Sequence, residues 1–206
     1  NILGSIDDKI ENNEKIIKNL EDLQLQIFRN YENNLIKPNE LILSDIIKFV
    51  KGKKPTESQS NLMNYLSIEG ITTNIYTQNC ATNMILANNE DILMVMDGAS
   101  SGTIYIGNKG IVASTLAKIE IKNNEYRYLI FQKLKQMEKK IKELNTGSAI
   151  PHANKEFIGS IVLCIDSEYK SINLKLQTIT EKIIKIKQVN YKLSELKNHY
   201  LQKFFG

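Results

Sequence analysis

The chain has 206 residues, of which 42% are hydrophobic, 7% aromatic and 24% charged, with a formal net charge of +4. This is enough apolar material for one sizeable core, and it excludes collagen-like, disulfide-scaffold and wholly disordered chains. No run approaches the roughly 18 uninterrupted apolar residues of a membrane-spanning helix, and the amino end has no basic-then-apolar signal pattern, so a soluble, cytoplasmic chain is expected. Cys80 and Cys164 lie far apart without C-x-x-C spacing, as free thiols in a reducing compartment would. Because residue 1 is Asn, we expect a piece of a longer chain or a processed one.

Charge is distributed unevenly. Residues 1–36 hold four basic and seven acidic side chains, net −3, whereas residues 169–206 hold eight lysines against Glu181 and Glu195, net +6. The stretch 37–168 is close to neutral at +1. Terminal segments of opposite sign attract when they lie side by side, although each exposed pair contributes only about a few tenths of a kcal/mol.

Taken in chain order, residues 1–36 read as one long helix, with apolar groups at Leu3, Ile6 and Ile10 and again at Ile16, Leu20, Leu23 and Ile27 forming one narrow stripe. Pro38 and Asn39 then announce a change of pattern. Leu41 to Val50 reads as a short amphipathic element with Ser44 as its N-cap, stopped by the turn Lys51-Gly52-Lys53-Lys54-Pro55. Strands are expected at Asn64–Ile68, Ile75–Thr77, Asp91–Met96, Thr103–Ile106 and Gly110–Ile121, all rich in Ile, Val, Tyr and Thr. Tyr126 to Asn145 is a predicted helix whose stripe, Ile130, Leu134, Met137, Ile141 and Leu144, alternates steps of four and three. Thr146-Gly147-Ser148 ends it, Asn154 caps a further short turn, and a strand follows at Ser160–Ile165.

Residues 169–206 form a second long helix, striped by Ile179, Ile183, Ile186, Val189, Leu193, Leu196 and Tyr200. It repeats the first. Ser5–Tyr31 aligns without gaps on Thr178–Phe204, so that Leu3, Ile6, Ile10, Leu20 and Leu23 coincide with Leu176, Ile179, Ile183, Leu193 and Leu196. Solenoid repeats recur every 20 to 50 residues or so, whereas this one brackets a domain. The expected fold class is therefore α+β: one mixed domain at 37–168, flanked by helices at 1–36 and 169–206 that pair as an antiparallel coiled coil. The predicted pairing residues are Ile6, Ile10, Leu20, Leu23 and Ile27 against Ile179, Ile183, Leu193, Leu196 and Tyr200.

Little points to catalysis. Gly98-Ala-Ser-Ser-Gly102 is a phosphate-loop lookalike, but it lacks Gly-Lys-[Ser/Thr] and precedes a strand, so it reads as a tight β connection or a loop presenting Ser100 and Ser101 to DNA. His152 and His199 stand alone, so no metal site is expected. Ser100 or Ser148 with His152 as base lacks a Gly-x-Ser-x-Gly elbow, and the carboxylates are scattered singly. No catalytic residue is assigned. For nucleic acid, Lys48, Lys51, Lys53 and Lys54 crowd one turn, and the stretches Thr72–Asn74 and Thr77–Asn79 offer groups that hydrogen-bond base edges. A merely solvated turn fits the lysines equally well.

The whole arrangement resembles the specificity (S) subunits of type I restriction-modification systems. Carrying that resemblance are GSIDDKIENNEKIIKNLEDL (4–23), DIIKFVKGKKP (45–55), EDILMVMDGASSGTIYIGNKGIVAS (90–114), LNTGSAIPHANKEFIGSIVL (144–163) and LQTITEKIIKIKQVNYKLSELKNHYLQKFF (176–205), in this order and spacing. The family alternates target recognition domains with helical conserved regions. A complete member has two recognition domains and this chain one, so it looks like a half-subunit or C-terminal fragment. The resemblance implies a non-catalytic subunit that reads double-stranded DNA mainly through the major groove. Its helices would set half-site spacing and dock methyltransferase (modification) subunits, through which the restriction subunit joins. Those partners hold S-adenosylmethionine, ATP and Mg²⁺, so no cofactor is expected here. Expected DNA contacts are Lys51, Lys53, Lys54, Thr72, Thr73, Asn74, Gln78, Asn79, Ser100, Ser101, Thr103 and Tyr105. A homodimer stays open, because a helical seam also closes between chains. The competing reading is a coiled-coil scaffold or dimerisation protein without DNA specificity.

Overall fold

A computed structural model describes residues 2–55, 61–147 and 149–205. Ser148, weighed above as a nucleophile, lies outside the described residues. The long helix α1 (Ile2–Asn33) leads into β1 (Asn39–Ile42), a single helical turn α2 (Leu43–Ile46), β2 (Ile47–Lys51), β3 (Leu62–Leu66), α3 (Ile68–Thr73), β4 (Thr77–Cys80) and β5 (Leu86–Ala87). There follow β6 (Ile92–Val95), β7 (Ile104–Tyr105), β8 (Gly110–Val112), β9 (Leu116–Ile121), α4 (Arg127–Glu143), α5 (Lys155–Ser160), β10 (Val162–Ile165) and the second long helix α6 (Tyr169–Phe205).

The strands form three sheets: β1 with β10, an antiparallel sheet ordered β2-β9-β6-β7, and a second four-stranded sheet ordered β4-β3-β8-β5. Strand β6 explains how they stack. Side chains alternate across a strand, yet all four residues of β6 are buried. Ile92 and Met94 enter a core shared with α4, while Leu93 and Val95 enter a smaller core with Leu116 of the neighbouring β9 and with Leu66 and Val112 of the other sheet. The sheets approach closely where β2 ends, because a Cβ on Gly52 would stand 2.2 Å from the carbonyl oxygens of Val112 and Ala113.

The long helices grow out of the larger core. Phe28 and Tyr31 of α1 and Leu176 of α6 are buried beside Leu129, Ile130 and Leu134 of α4. Polar contacts fasten the joint: Glu32 accepts from Lys133 and Gln136, both at 2.7 Å. Helix α4 has no cap from its own N-cap residue. Instead Asn173 of α6 accepts from the backbone N–H groups of Tyr128 and Leu129 at 3.0 and 3.4 Å, satisfying donors that a helix start leaves open.

Beyond the joint, α1 and α6 run antiparallel. Going outward, Gln24 donates to Leu176 O and Thr180 Oγ1, Glu21 meets Lys187, Asn13 donates to Asn190 at 2.6 Å, and Asp7 meets Lys197. At 1.5 Å per residue α1 is about 48 Å long. The true seam of α1 is Leu3, Ile6, Ile10, Asn13, Ile17, Leu20, Gln24, Ile27 and Tyr31, an unbroken alternation of three and four in which Asn13 and Gln24 are buried. This corrects the predicted stripe. Ile6 and Ile183 are buried, and Ile10, Leu20, Ile27, Ile179, Leu193 and Tyr200 half-buried, but Leu23 and Leu196 are 43% and 42% exposed and lie off the seam. Tracking apolar residues alone passes over the polar seam positions and drifts onto the neighbouring face.

Other elements also differ from expectation. Leu41–Val50 is a strand, one helical turn and another strand; Ser44 lies inside the turn, whose N-cap position is Ile42. Ile47, Phe49 and Val50 favour extended backbone, and β2 pairs with β9 over five residues. Gly110–Ile121 breaks at Ala113–Thr115, where the chain crosses from one sheet to the other. The strand expected at Ile75–Thr77 starts only at Thr77 and runs on as β4 to Cys80, and the stretch before it includes α3, opened by Ser67, whose Oγ accepts from Gly70 N, and closed by Asn74 with a φ of 58°. Asn154 caps α5 as expected, accepting from Phe157 N at 3.0 Å.

Candidate nucleic-acid interface

Where the mixed domain leans back toward the helix pair there is a cleft of about 770 Å³. One wall comes from the domain: Asn64 on β3, Thr72 and Asn74 at the end of α3, Tyr76, Asn89, and the run from Thr103 to Lys109 through β7. The other wall is helical, with Glu21 and Asp22 of α1, Gln132 and Lys135 of α4, and Ile184, Lys187, Gln188, Tyr191 and Lys192 of α6. Gly107 lets the walls meet at the base. Its φ of +90° suits glycine, and a Cβ there would stand 2.8 Å from Ile184 Cγ1.

Hydrogen bonds hold several of these groups in place. Thr72 Oγ1 donates to the helical carbonyls of Ile68 and Glu69 at 3.0 Å, and Thr103 Oγ1 to Ser100 O at 2.7 Å. Asn64 accepts from Gln78 directly across the β3–β4 pair, so Gln78 borders the cleft through its neighbour. Tyr76 OH reaches Asn108 Oδ1 at 3.5 Å. Burial raises the phenol of Tyr76, and burial with the nearby Glu138 raises that of Tyr105, so both remain protonated donors at neutral pH. Asparagine amides, tyrosine hydroxyls and lysines around a groove are the groups that bond base edges and phosphate oxygens.

Of the predicted contact residues, Thr72, Asn74, Thr103 and Tyr105 therefore line one cleft. The lysine turn does not. Lys51 pairs with Asp97 at 2.6 Å, Lys53 donates to Asn83 O at 3.3 Å, and Lys54 is exposed. Asp97 also bonds His152 Nδ1 at 2.7 Å; burial would raise its carboxyl, but the hydrogen bonds from Lys51 and His152 prevail and hold it below the usual carboxylate range. Thr73 Oγ1 is turned back on Glu69 O, and Asn79 donates to Thr77 Oγ1. Ser101 is a correction: it is fully buried, with its Oγ accepting from Asn145 at 2.6 Å, so it pins the loop and cannot touch DNA. Neighbouring Ser100 is half-buried and turns its carbonyl to Thr103. The helical wall, above all Gln188, Tyr191 and Lys192, was not anticipated, because α6 read only as a pairing stripe.

Among the described residues there is no helix long and apolar enough to cross a membrane, and no cluster of three His, Cys, Asp or Glu able to hold a metal ion.

A mixed domain carried on an antiparallel helix pair, with a cleft at their junction that mixes apolar side chains such as Ile71, Ile104, Phe131 and Ile184 with amides, tyrosines and lysines, is the build of a DNA-specificity module. The comparisons place it further. The profile of the type I restriction modification DNA specificity domain matches residues 39–195, and the chain belongs to that family. It is 32% identical over 172 residues to the type I restriction enzyme MjaVIII specificity subunit of Methanocaldococcus jannaschii, which covers 79% of this chain and 40% of that protein. The fold is similar to the type I restriction-modification S subunit from M. genitalium, with a TM-score of 0.68 at 21% identity over 99% of this chain and 59% of that one. The HsdS subunit from Thermoanaerobacter tengcongensis gives a TM-score of 0.55 at 14% identity, over 98% of this chain and 54% of that one. The chain thus spans 40% of the length of the first relative and somewhat over half of the two solved subunits.

Proposed function

We propose that this chain is the DNA sequence-reading part of a type I restriction-modification complex, with no chemistry of its own. Its mixed domain, residues 37–168, acts as a target recognition domain for one half-site in duplex DNA. Thr72, Asn74, Thr103 and Tyr105 face that half-site together with Asn64 and Lys109. Lys53 and Lys54 form a separate basic patch on the same domain. The helix pair is the spacer and the platform for the methyltransferase subunits, through which the restriction subunit associates in the cytoplasm. The observation that carries this reading is the cleft, which gathers Asn64, Thr72, Asn74, Thr103 and Tyr105 from three separate stretches of the chain, polar side chains able to bond bases and phosphates.

A rigid pair about 50 Å long converts protein length into base-pair spacing, since one turn of B-DNA is about 34 Å. The test is to co-purify the chain with the modification subunit encoded beside it and to methylate random-sequence DNA with S-adenosylmethionine. Methylation confined to one short motif, palindromic if two copies pair, is expected. Association without sequence preference would favour a scaffold instead. Within the recognition domain, Lys53→Ala/Lys54→Ala is expected to weaken binding and flatten its salt dependence, and unchanged binding removes that patch from the interface.

A further inference from the structure

We propose that α6 is more than a spacer: its stretch from Ile184 to Lys192 forms a second wall of the DNA site and holds the sugar–phosphate backbone of the duplex whose bases the mixed domain reads. This rests on the recognition reading above and assigns DNA contacts to residues of the helix pair.

Ile184, Gln188, Tyr191 and Lys192 recur at steps of three and four, so they share one face of α6, and that face lines the cleft opposite Thr72, Asn74 and Tyr105. Asn190, buried against α1, is not part of this lining, whereas Thr180, one turn before Ile184 and bonded to Gln24, is, so the cleft opens from the edge of the seam. At 1.5 Å per residue the stretch is about 12 Å long, enough to follow about three phosphates of one strand at about 3.4 Å each along the axis.

Charge agrees. The cleft carries Lys109, Lys135, Lys187 and Lys192 against Glu21 and Asp22. Lys187 is paired with Glu21 and Lys135 with Glu138, whereas Lys109 and Lys192 are exposed and enter no ion pair among the described residues. They stand on opposite walls, so an anionic strand laid in the cleft meets one unneutralised ammonium from each side. The loop carrying Lys109 is held against α6 by the close approach of Gly107 to Ile184. The same contact fixes the width of the groove.

The experiment measures binding of the full chain to a random-sequence duplex of about 30 base pairs as a function of salt. Each phosphate contact contributes about 0.9 to the slope of log affinity against log salt. Lys109→Ala/Lys192→Ala is expected to reduce the slope by about two. Lys175→Ala/Lys182→Ala, exposed and outside the cleft, is expected to leave it unchanged. Gln188→Lys supplies a gain that misfolding cannot imitate: the slope steepens by about one. If the parent binds and neither cleft variant moves the slope, the helical wall is not part of the DNA site, while the recognition reading stands. If Lys192→Ala instead weakens co-purification with the modification subunit at an unchanged slope, the wall is a protein contact and the proposal is overturned. A parent chain that binds no duplex even at low salt overturns both.

Discussion

The seam between α1 and α6 and the core beneath α4 are both built from helical stripes, yet they are stabilised differently. Under α4, Leu129, Ile130, Leu134 and Ile141 are fully buried among apolar neighbours. In the seam, buried positions include Asn13, Gln24, Thr180 and Asn190, and much of the rest is half-buried. Apolar burial is non-directional and tolerates sliding, whereas a buried amide pair is satisfied in one register only. The core supplies stability, and the seam supplies a fixed alignment. An element that sets a distance needs the second property more than the first.

The largest expected effect breaks the joint between these regions. Phe28→Ala removes a fully buried ring where α1 enters the main core, and should cost about 3–5 kcal/mol. Urea unfolding measures it. A loss below about 1 kcal/mol would mean that α1 is seated on the domain by its polar contacts, chiefly Glu32 with Lys133 and Gln136.

The next effect separates stability from register. Asn13→Ala strands the buried amide of Asn190 and should cost about 1–3 kcal/mol. Asn13→Leu/Asn190→Leu should unfold no more easily than the parent, because replacing both partners by apolar groups avoids the unpaired amide. Spin labels at Asp7 and Lys197, adjacent across the outer seam, should give a single distance in the parent and a broadened distribution in the double leucine variant. An unbroadened distance would assign the register to Gln24 and Thr180 alone.

A smaller effect lies in the domain, where Asp97 joins Lys51 to His152. Both partners hold its carboxyl below the ordinary value, so its contribution is complete above about pH 4 and fades as pH falls through the depressed native value. Asp97→Asn should therefore lower stability by about 0.2–1 kcal/mol near neutrality, and the gap from the parent should close in acid. Freed from this carboxylate, Lys51 should add to the salt dependence of DNA binding if the lysine turn lies near the backbone.

How far the sequence shows all this depends on the kind of signal. Helix α4 and the two long helices are legible because their apolar periodicity is strong and local, and Asn154 is legible because a cap is a one-residue device. Asn13 and Gln24 are not, since a polar residue on a seam looks like a residue on a solvated face until its partner is known. Helix α3 hides behind threonines that read as a loop, although Ser67 marks its start. Four cleft residues were found by their chemistry on loops and strands. The helical wall was missed because Lys192 lies more than 80 residues from Lys109 and only the antiparallel return of α6 brings them together.

The smallest expected effect tests the corrected seam. Leu23 and Leu196 occupy equivalent places in the internal repeat, and a purely apolar reading puts both in the contact, yet each is over two-fifths exposed. Leu23→Ser/Leu196→Ser should change the unfolding free energy of the isolated chain by no more than about 0.5 kcal/mol per site. Ile6→Ser/Ile183→Ser, at buried seam positions, should cost several times more. Protein concentration adds a second readout to the same pair of variants. If Leu23 and Leu196 pack against a second copy, their loss should become costly only where the parent self-associates, since a dimer's apparent stability rises with concentration and a monomer's does not. A penalty that is large and independent of concentration would return both leucines to the seam and shift the register drawn from Asn13 and Asn190.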